Sequence, residues 1–562
     1  MSASQISRVE TLLSSLTLEE KIRSLFILLS NGNDEEAVNE LVDFAPSGIR
    51  YNPMRGETLL RFLTSLQSKA KTPFLVAANA EEGGNGICLE GTLVGSPGKL
   101  GACGDPHLAY EAGVLAGKEA RAVGVNTIFA PVSDILLNFR NPAIPTRSYG
   151  NTPKTVEDFA SAYLRGILSE GVMACPKHFP GDGVDERDAH LAPNLNSLSV
   201  EEWDRSFGKV YSRLIQDGAP LIMTGHIALP SYQKKINPNA KRVLPATLSE
   251  ELLQGLLRER LGFNGVIVSD ATHMVGLTSF EKRKDLLPHM ISAGVDLILF
   301  ANDNEEDVRF LLDAVKEGTL SLSRIDEALL RVLGLKEAYG LLDHPTLPTS
   351  FEMSPSDLPK EVSKKGITLV QEEEGLLPLS PNKTKRILLV EESTENPFAF
   401  LYPKRPSIAE RVKDLLEKEG FEVAIFLSAM DKALSSPPEE ARKIVGNIYN
   451  QKTPISELTG HYDLVIHLAA IDTHNTTSRI SWKMSKGTAD IPWYVEELPT
   501  MMISFKNPFH LFDAPLVKTY INCFDASPST LGALMDKLMG REPFLGMDNL
   551  GVKELSFPIS KR

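Results

Sequence analysis

The sequence predicts an α/β fold with two parts, an N-terminal (β/α)8 barrel and a C-terminal open α/β sandwich domain. Three observations carry this. Eight short apolar runs alternate with helix-like stretches over residues 1–341, prolines then crowd into residues 342–360, and a further set of β-rich runs fills residues 361–562. Length is compatible: at roughly 100 to 200 residues per domain a chain of 562 residues would hold about three domains, but a barrel takes ~250 or more as one unit.

The elements follow in order. Thr17-Leu18-Glu19-Glu20 is a capping box, a hydroxyl acceptor with a carboxylate three residues on, so a helix starts there. The apolar runs are Leu25 to Leu29, Gly48 to Tyr51, Pro73 to Ala78, Val125 to Pro131, Val172 to Phe179, Pro220 to Ile227, Gly265 to Asp270 and Val295 to Phe300. They are continuous and not alternating, as parallel strands buried on both faces must be. Between them, segments such as Val156 to Glu170 and Leu248 to Leu261 repeat apolar residues at three-to-four spacing, the mark of an amphipathic helix. Such units close into a TIM-like barrel whose polar chemistry gathers at the C-terminal strand ends. Leu342 to Lys360 holds Pro345, Pro348, Pro355 and Pro359 and reads as an extended linker. Beyond it, Arg386 to Val390, Glu422 to Leu427, Asp463 to Leu468, Thr500 to Phe505 and Val517 to Asn522 read as strands of a second α/β layer.

Composition narrows the function. The charge is −14, without a basic stripe, which disfavours phosphate backbones and anionic membranes, so neither nucleic acid nor membrane is expected as a partner. No apolar run approaches the ~20 residues that cross a bilayer. The four cysteines, Cys88, Cys103, Cys175 and Cys523, form no framework and read as reduced thiols; together with a first segment lacking a secretory pattern they predict a cytoplasmic protein. Gly83-Gly84-Asn85-Gly86 and Gly113 to Lys118 match no nucleotide-binding spacing, and no cofactor is expected.

The densest polar cluster, Lys177-His178-Phe179-Pro180-Gly181-Asp182-Gly183-Val184-Asp185-Glu186-Arg187-Asp188-Ala189-His190, follows the fifth apolar run. By itself it reads first as a solvated, charged surface turn. Three other strand ends change the weighting: Arg147 after the fourth, His226 after the sixth and Asp270 closing the seventh. Neighbouring strand ends then present His, Asp, Lys and Arg to one place. His178, Asp182, His190, His226 and His273 also suit a metal, yet the chain has neither H-x-H on a first strand nor H-E-x-x-H on a helix, so no metal site is expected.

The string KHFPGDGVDERDAH resembles the K-H-F-P-G-[HD]-G…D-[ST]-H signature of glycoside hydrolase family 3, in its NagZ-like β-N-acetylglucosaminidase branch of two-domain type. FAPVSDI at 129–135, RSYG at 147–150, LGFNGVIVSD at 261–270 and RIDEALLRVLGLKEAYGLLD at 324–343 resemble further family motifs in order, as do GITLVQEEEGLLPL at 366–379 and SFKNPFHL at 504–511. The resemblance implies a retaining exo-glycosidase that removes terminal β-linked N-acetylhexosamine, N-acetylglucosamine first. Asp270 matches the nucleophile, and His190 with Asp188 matches an acid/base dyad in which the carboxylate raises the imidazole pKa. Lys177, His178 and Arg147 match sugar contacts. His226 is placed with them, although a histidine at a strand end is as often a satisfied structural group, and Asp134 is expected to pair with Arg147 or Lys177. The implied partner is a small carbohydrate substrate, bound by a monomer or homodimer.

Two departures stand out. Ala80-Glu81-Glu82-Gly83-Gly84 and Cys88 replace the family's D-[QE]-E-G-G-x-x-x-R, removing the aspartate and arginine that hold the distal sugar hydroxyls, with Asn79 or Glu81 as substitutes. Ala189 stands where the dyad usually has Ser or Thr. Two rival functions follow from these residues: a β-glycoside phosphorylase, since an imidazole lacks the negative charge that repels phosphate, and a catalytically decayed carbohydrate-binding or sensor protein. Trp482 and Trp493 offer either a sugar-stacking face or packed aromatics.

Overall fold

A computed structural model describes residues 2–344, 346–353, 355–394, 405–447, 454–472, 479–480, 482 and 491–556. Pro345 of the proline-rich stretch lies outside the described residues. The chain divides into two compact units, residues 1–101 with 105–358, and residues 102–104 with 359–562.

Each of the eight apolar runs forms a strand of one parallel sheet: β1 (Phe26–Ser30), β2 (Gly48–Tyr51), β3 (Leu75–Ala78), β4 (Thr127–Ile128), β5 (Met173–Ala174), β6 (Leu221–Thr224), β7 (Val266–Ala271) and β8 (Leu297–Leu299). They pair in the order 5-4-3-2-1-8-7-6. The segment just past β5 meets β6, where Met223 N donates to Pro176 O at 2.9 Å and Phe179 N to Met223 O at 2.9 Å, which closes the barrel. Alternate residues fill its interior, as in Leu75 with Ala77, Leu221 with Met223, Val266 with Val268 and Leu297 with Leu299. Their neighbours Val76, Ile222, Ile267 and Ile298 are fully buried on the other face. Burial on both sides is why these runs lack a polar alternation.

Local capping fixes the helices between. Thr17 Oγ1 accepts from Glu20 N at 3.2 Å while the Glu20 carboxylate accepts from Thr17 N at 2.8 Å, so the Leu18–Arg23 helix starts where the capping box places it. The segment at Val156 is part of the Pro153–Ser169 helix, capped by Thr152. Two short parallel strands, Asn194–Leu195 and Ile227–Ala228, form a separate pair beyond the barrel strands.

The second unit carries β9 (Thr368–Gln371), β10 (Arg386–Ser393), β11 (Glu422–Ile425), β12 (Leu464–Ala470), β13 (Thr500–Ser504) and β14 (Thr519–Asn522) in the order 9-14-13-12-10-11. All are parallel except β9, which runs antiparallel to β14 at the edge. Helix Leu358–Gly366 begins inside the proline-rich stretch and leads into β9. Among the described residues no helix is long and apolar enough to cross a membrane.

Candidate active site

The C-terminal ends of β3 to β7 bring the polar groups together. Pairing between β4 and β5 continues past the regular strands, with Lys177 N donating to Pro131 O and Ser133 N to Lys177 O, so Asp134 and His178 emerge side by side. Asp134 is fully buried, and its carboxylate accepts from His178 N, from Asp182 N and, at 2.7 Å, from His178 Nδ1. That bond holds the Nδ1–H tautomer and leaves Nε2 as the unprotonated nitrogen of a side chain that is 11% exposed. The expected pairing of Asp134 with Arg147 or Lys177 is therefore corrected: its carboxylate bonds the His178–Asp182 turn.

The cations pair instead with Glu81, at the end of β3. Arg147 grips it through Nε at 2.8 Å and Nη2 at 2.9 Å, and Lys177 Nζ reaches Glu81 Oε1 at 2.6 Å. Burial pushes this carboxyl up, but the guanidinium and ammonium outweigh that and hold it well below the usual carboxylate range. Ala80 is fully buried, with its carbonyl accepting from Tyr163 Oη, and Cys88 is also fully buried. The sequence offered Glu81 beside Asn79 as a substitute; only geometry shows that it joins both cations.

The dyad sits on a stapled loop. His190 Nδ1 lies 2.6 Å from Asp188 Oδ1, which also accepts from His190 N at 2.9 Å. Asp188 is 6% exposed, whereas the His190 side chain is 53% exposed, so Nε2 is open to a ligand. Asn141 Nδ2 donates to Asp182 Oδ1 and to Asp185 O, and Asn194 Nδ2 donates to Arg187 O, which ties the loop down between its polar residues. Gly183 has φ +100°, and a Cβ there would sit 2.2 Å from Ile135 O, so only glycine fits. The loop also joins the segment after β7: Val275 N donates to His190 O at 3.2 Å and Gly276 N to Ala189 O at 2.8 Å.

Asp270 is the penultimate residue of β7, where its Oδ1 accepts from Ala271 N at 2.7 Å. Burial raises its pKa, but the His178, His226 and His190 imidazoles and the Ala271 N–H together bring it below the ordinary aspartate value. The His190 pKa is raised, first by the Asp188 hydrogen bond, against burial and with further help from the Asp188 and Asp270 charges. Burial and the Asp134 carboxylate push Asp182 up to about 6.

His226 is corrected from a substrate contact to a support. It is 1% exposed; Nδ1 meets Thr247 Oγ1 at 2.9 Å and Nε2 meets Ala271 O at 3.0 Å, leaving no free ring nitrogen. The ring braces the backbone next to Asp270, and burial lowers its pKa. His273 is exposed, and among the described residues no group of three or more His, Cys, Asp or Glu is arranged to hold a metal ion. A cavity of about 1870 Å3 lies elsewhere on this unit, lined by residues such as Arg61, Arg121 and Phe351, and contains none of these groups. In the second unit Trp482 packs edge-on against His467, and Trp493 is 37% exposed.

Residues 17–335 match the model of the glycosyl hydrolase family 3 N terminal domain. The chain belongs to glycoside hydrolase family 3. It is 37% identical over 553 residues to a beta-N-acetylglucosaminidase/beta-glucosidase of Cellulomonas fimi, covering 96% of this chain and 95% of that one. Among solved structures, the family 3 fold is shared with the beta-glucoside phosphorylase BglX bound to 2FGlc, at TM-score 0.89 and 36% identity over 98% of this chain and 97% of that one. A glycoside hydrolase family 3 beta-N-acetylglucosaminidase from Paenibacillus sp. str. FPU-7 matches at TM-score 0.78 and 28% identity, over 96% and 99% of the two chains. This family 3 chain is thus an enzyme of glycosidic bonds, with the family's barrel and second α/β unit both present.

Proposed function

We propose that the enzyme is a retaining exo-glycosidase that releases terminal β-linked N-acetylhexosamine, N-acetylglucosamine first. The observation that carries the reading is the Asp188–His190 pair, with its outer ring nitrogen open and its charge coupled to that of Asp270. In the first step the Asp270 carboxylate attacks the anomeric carbon as the glycosidic C–O bond breaks, and His190 Nε2–H protonates the departing oxygen. In the second, neutral His190 takes a proton from water, whose oxygen displaces Asp270 from the glycosyl ester. Two inversions give net retention. Asp188 keeps the Nδ1–H tautomer and stabilises the protonated ring, while Arg147, Lys177 and His178 hold sugar hydroxyls. The Paenibacillus relative supports the N-acetyl sugar, the Cellulomonas fimi relative is named for both that sugar and glucose, and the four cysteines, all free thiols, support a cytoplasmic setting.

Phosphate as the second-step acceptor is the other reading. A neutral imidazole does not repel a phosphate dianion as a carboxylate would, and the BglX relative is a beta-glucoside phosphorylase. Nitrophenyl β-glycosides, assayed with and without phosphate, separate the outcomes. The proposal expects fastest turnover of the N-acetylglucosaminide and free sugar as product in either buffer. Sugar 1-phosphate would establish phosphorolysis, a preference for the glucoside would replace the sugar, and binding without turnover would establish the decayed protein.

A further inference from the structure

We infer that Glu81 is the specificity-determining residue of this pocket, accepting a hydrogen bond from the 3- or 4-hydroxyl of the bound sugar in place of the carboxylate the family motif carries at position 80. The inference rests on reading the site as a sugar pocket. Position 80 has no polar side chain to offer, and its carbonyl is taken by Tyr163. One residue on, Glu81 stands between the two cations expected to touch the same edge of the ring.

Counting donors and acceptors shows what remains. Among the described residues, Glu81 Oε1 accepts from Arg147 Nη2 and Lys177 Nζ, whereas Oε2 accepts from Arg147 Nε alone. A carboxylate oxygen has room for two such bonds, so Oε2 keeps one acceptor position. Arg147 spends its remaining terminal nitrogen on Ala143 O at 3.3 Å and keeps N–H groups beyond those it has committed. The cluster thus presents one acceptor beside spare donors, which is the complement of a hydroxyl that donates to Oε2 while accepting from the guanidinium. The groups are reachable: 13% of the Glu81 side chain and 18% of Arg147 are open, against 3% of Lys177. A carboxylate held well below its usual pKa stays an acceptor throughout the working range, so it selects a hydroxyl over any group that cannot donate.

The test is binding, which needs no turnover. Calorimetric titration of the full chain with N-acetylglucosamine and with glucose, each beside its 3-deoxy-3-fluoro and 4-deoxy-4-fluoro analogue, compares wild type with Glu81→Gln. Fluorine accepts weakly and cannot donate. Wild type is expected to bind one of the two fluoro analogues roughly 10- to 100-fold more weakly than its parent, the range for a charge-assisted bond, and Glu81→Gln to bring parent and analogue within about threefold of each other. Equal affinity of wild type for parent and both analogues overturns the inference. So does a Glu81→Gln variant that weakens all sugars by one common factor, since that is the mark of a carboxylate that merely props the cations. Should the Gln variant not fold, Glu81→Asp, one methylene shorter, is judged by the same narrowing of the parent-to-analogue ratio. If neither parent sugar binds wild type at all, the sugar-pocket reading itself fails, an outcome separate from binding without discrimination.

Discussion

At position 190 an imidazole stands where most retaining glycosidases place a second carboxylate, and its usefulness depends on Asp188. In the proposed mechanism the rate requires ionised Asp270 and protonated His190. It therefore falls on the acid side as the lowered Asp270 pKa is crossed and on the alkaline side as the raised His190 pKa is crossed. Asp188→Asn removes the largest contribution that raises the imidazole pKa. The alkaline limb of kcat/KM is expected to move to lower pH, with a loss of about 10²-fold or more near neutrality. An unshifted limb would count against the dyad. At this scale the sequence was legible in residue type and not in partner. Asp134 finds His178 at a separation of 44 residues, and His226 finds Thr247 and Ala271 at separations of 21 and 45. Such pairings depend on which strand ends meet, and a histidine on a linear string carries no mark of whether its ring is already satisfied. The choice of Glu81 over Asn79 was equally hidden, because spacing does not say which of two neighbouring side chains turns inward.

Among elements, the link between the dyad loop and the segment after β7 matters most. A Cβ on Gly276 would lie 2.7 Å from Ala189 O, so the two backbones approach closely only because residue 276 is glycine. Gly276→Ala is expected to force the loop away, at about 1–3 kcal/mol of stability, and to cost roughly 100-fold in kcat/KM through misplacement of His190. Denaturant melts and steady-state kinetics on one preparation check both; unaltered kinetics would show that the loop is positioned by other contacts. The barrel strands were readable because burial on both faces writes them as unbroken apolar runs. Asn194–Leu195 and Ile227–Ala228 were not, since two residues carry no period. Strand β9 was not read as a strand: its four residues alternate between buried and half-buried at a sheet edge, a weak signal in a short segment.

At the scale of the molecule, a lysine far from the chemistry bears on stability. Lys336 is 1% exposed, and no ion-pair or hydrogen-bond partner meets it among the described residues; burial alone lowers its pKa from 10.5 to about 7. Between about 7 and 10.5 the unfolded chain holds a proton at this lysine that the folded chain has released, so this group makes stability rise with pH across that window. Lys336→Met is expected to flatten that rise and to stabilise the protein at pH 7 by about 1–3 kcal/mol; chemical denaturation from pH 6 to 10 measures it, and a destabilised variant with an unchanged pH slope would contradict it.

The account as a whole stands on Asp270 attacking while His190 gives the proton at one barrel mouth. Its most direct measurement is trapping with a 5-fluoro N-acetylglucosaminyl or 2-fluoro glucosyl fluoride, followed by peptide mapping. The account predicts a covalent glycosyl mass on the peptide that contains Asp270, and loss of that label in Asp270→Asn. A label on any other carboxylate, or steady turnover of β-glycosides with no residue labelled by either reagent, would contradict it.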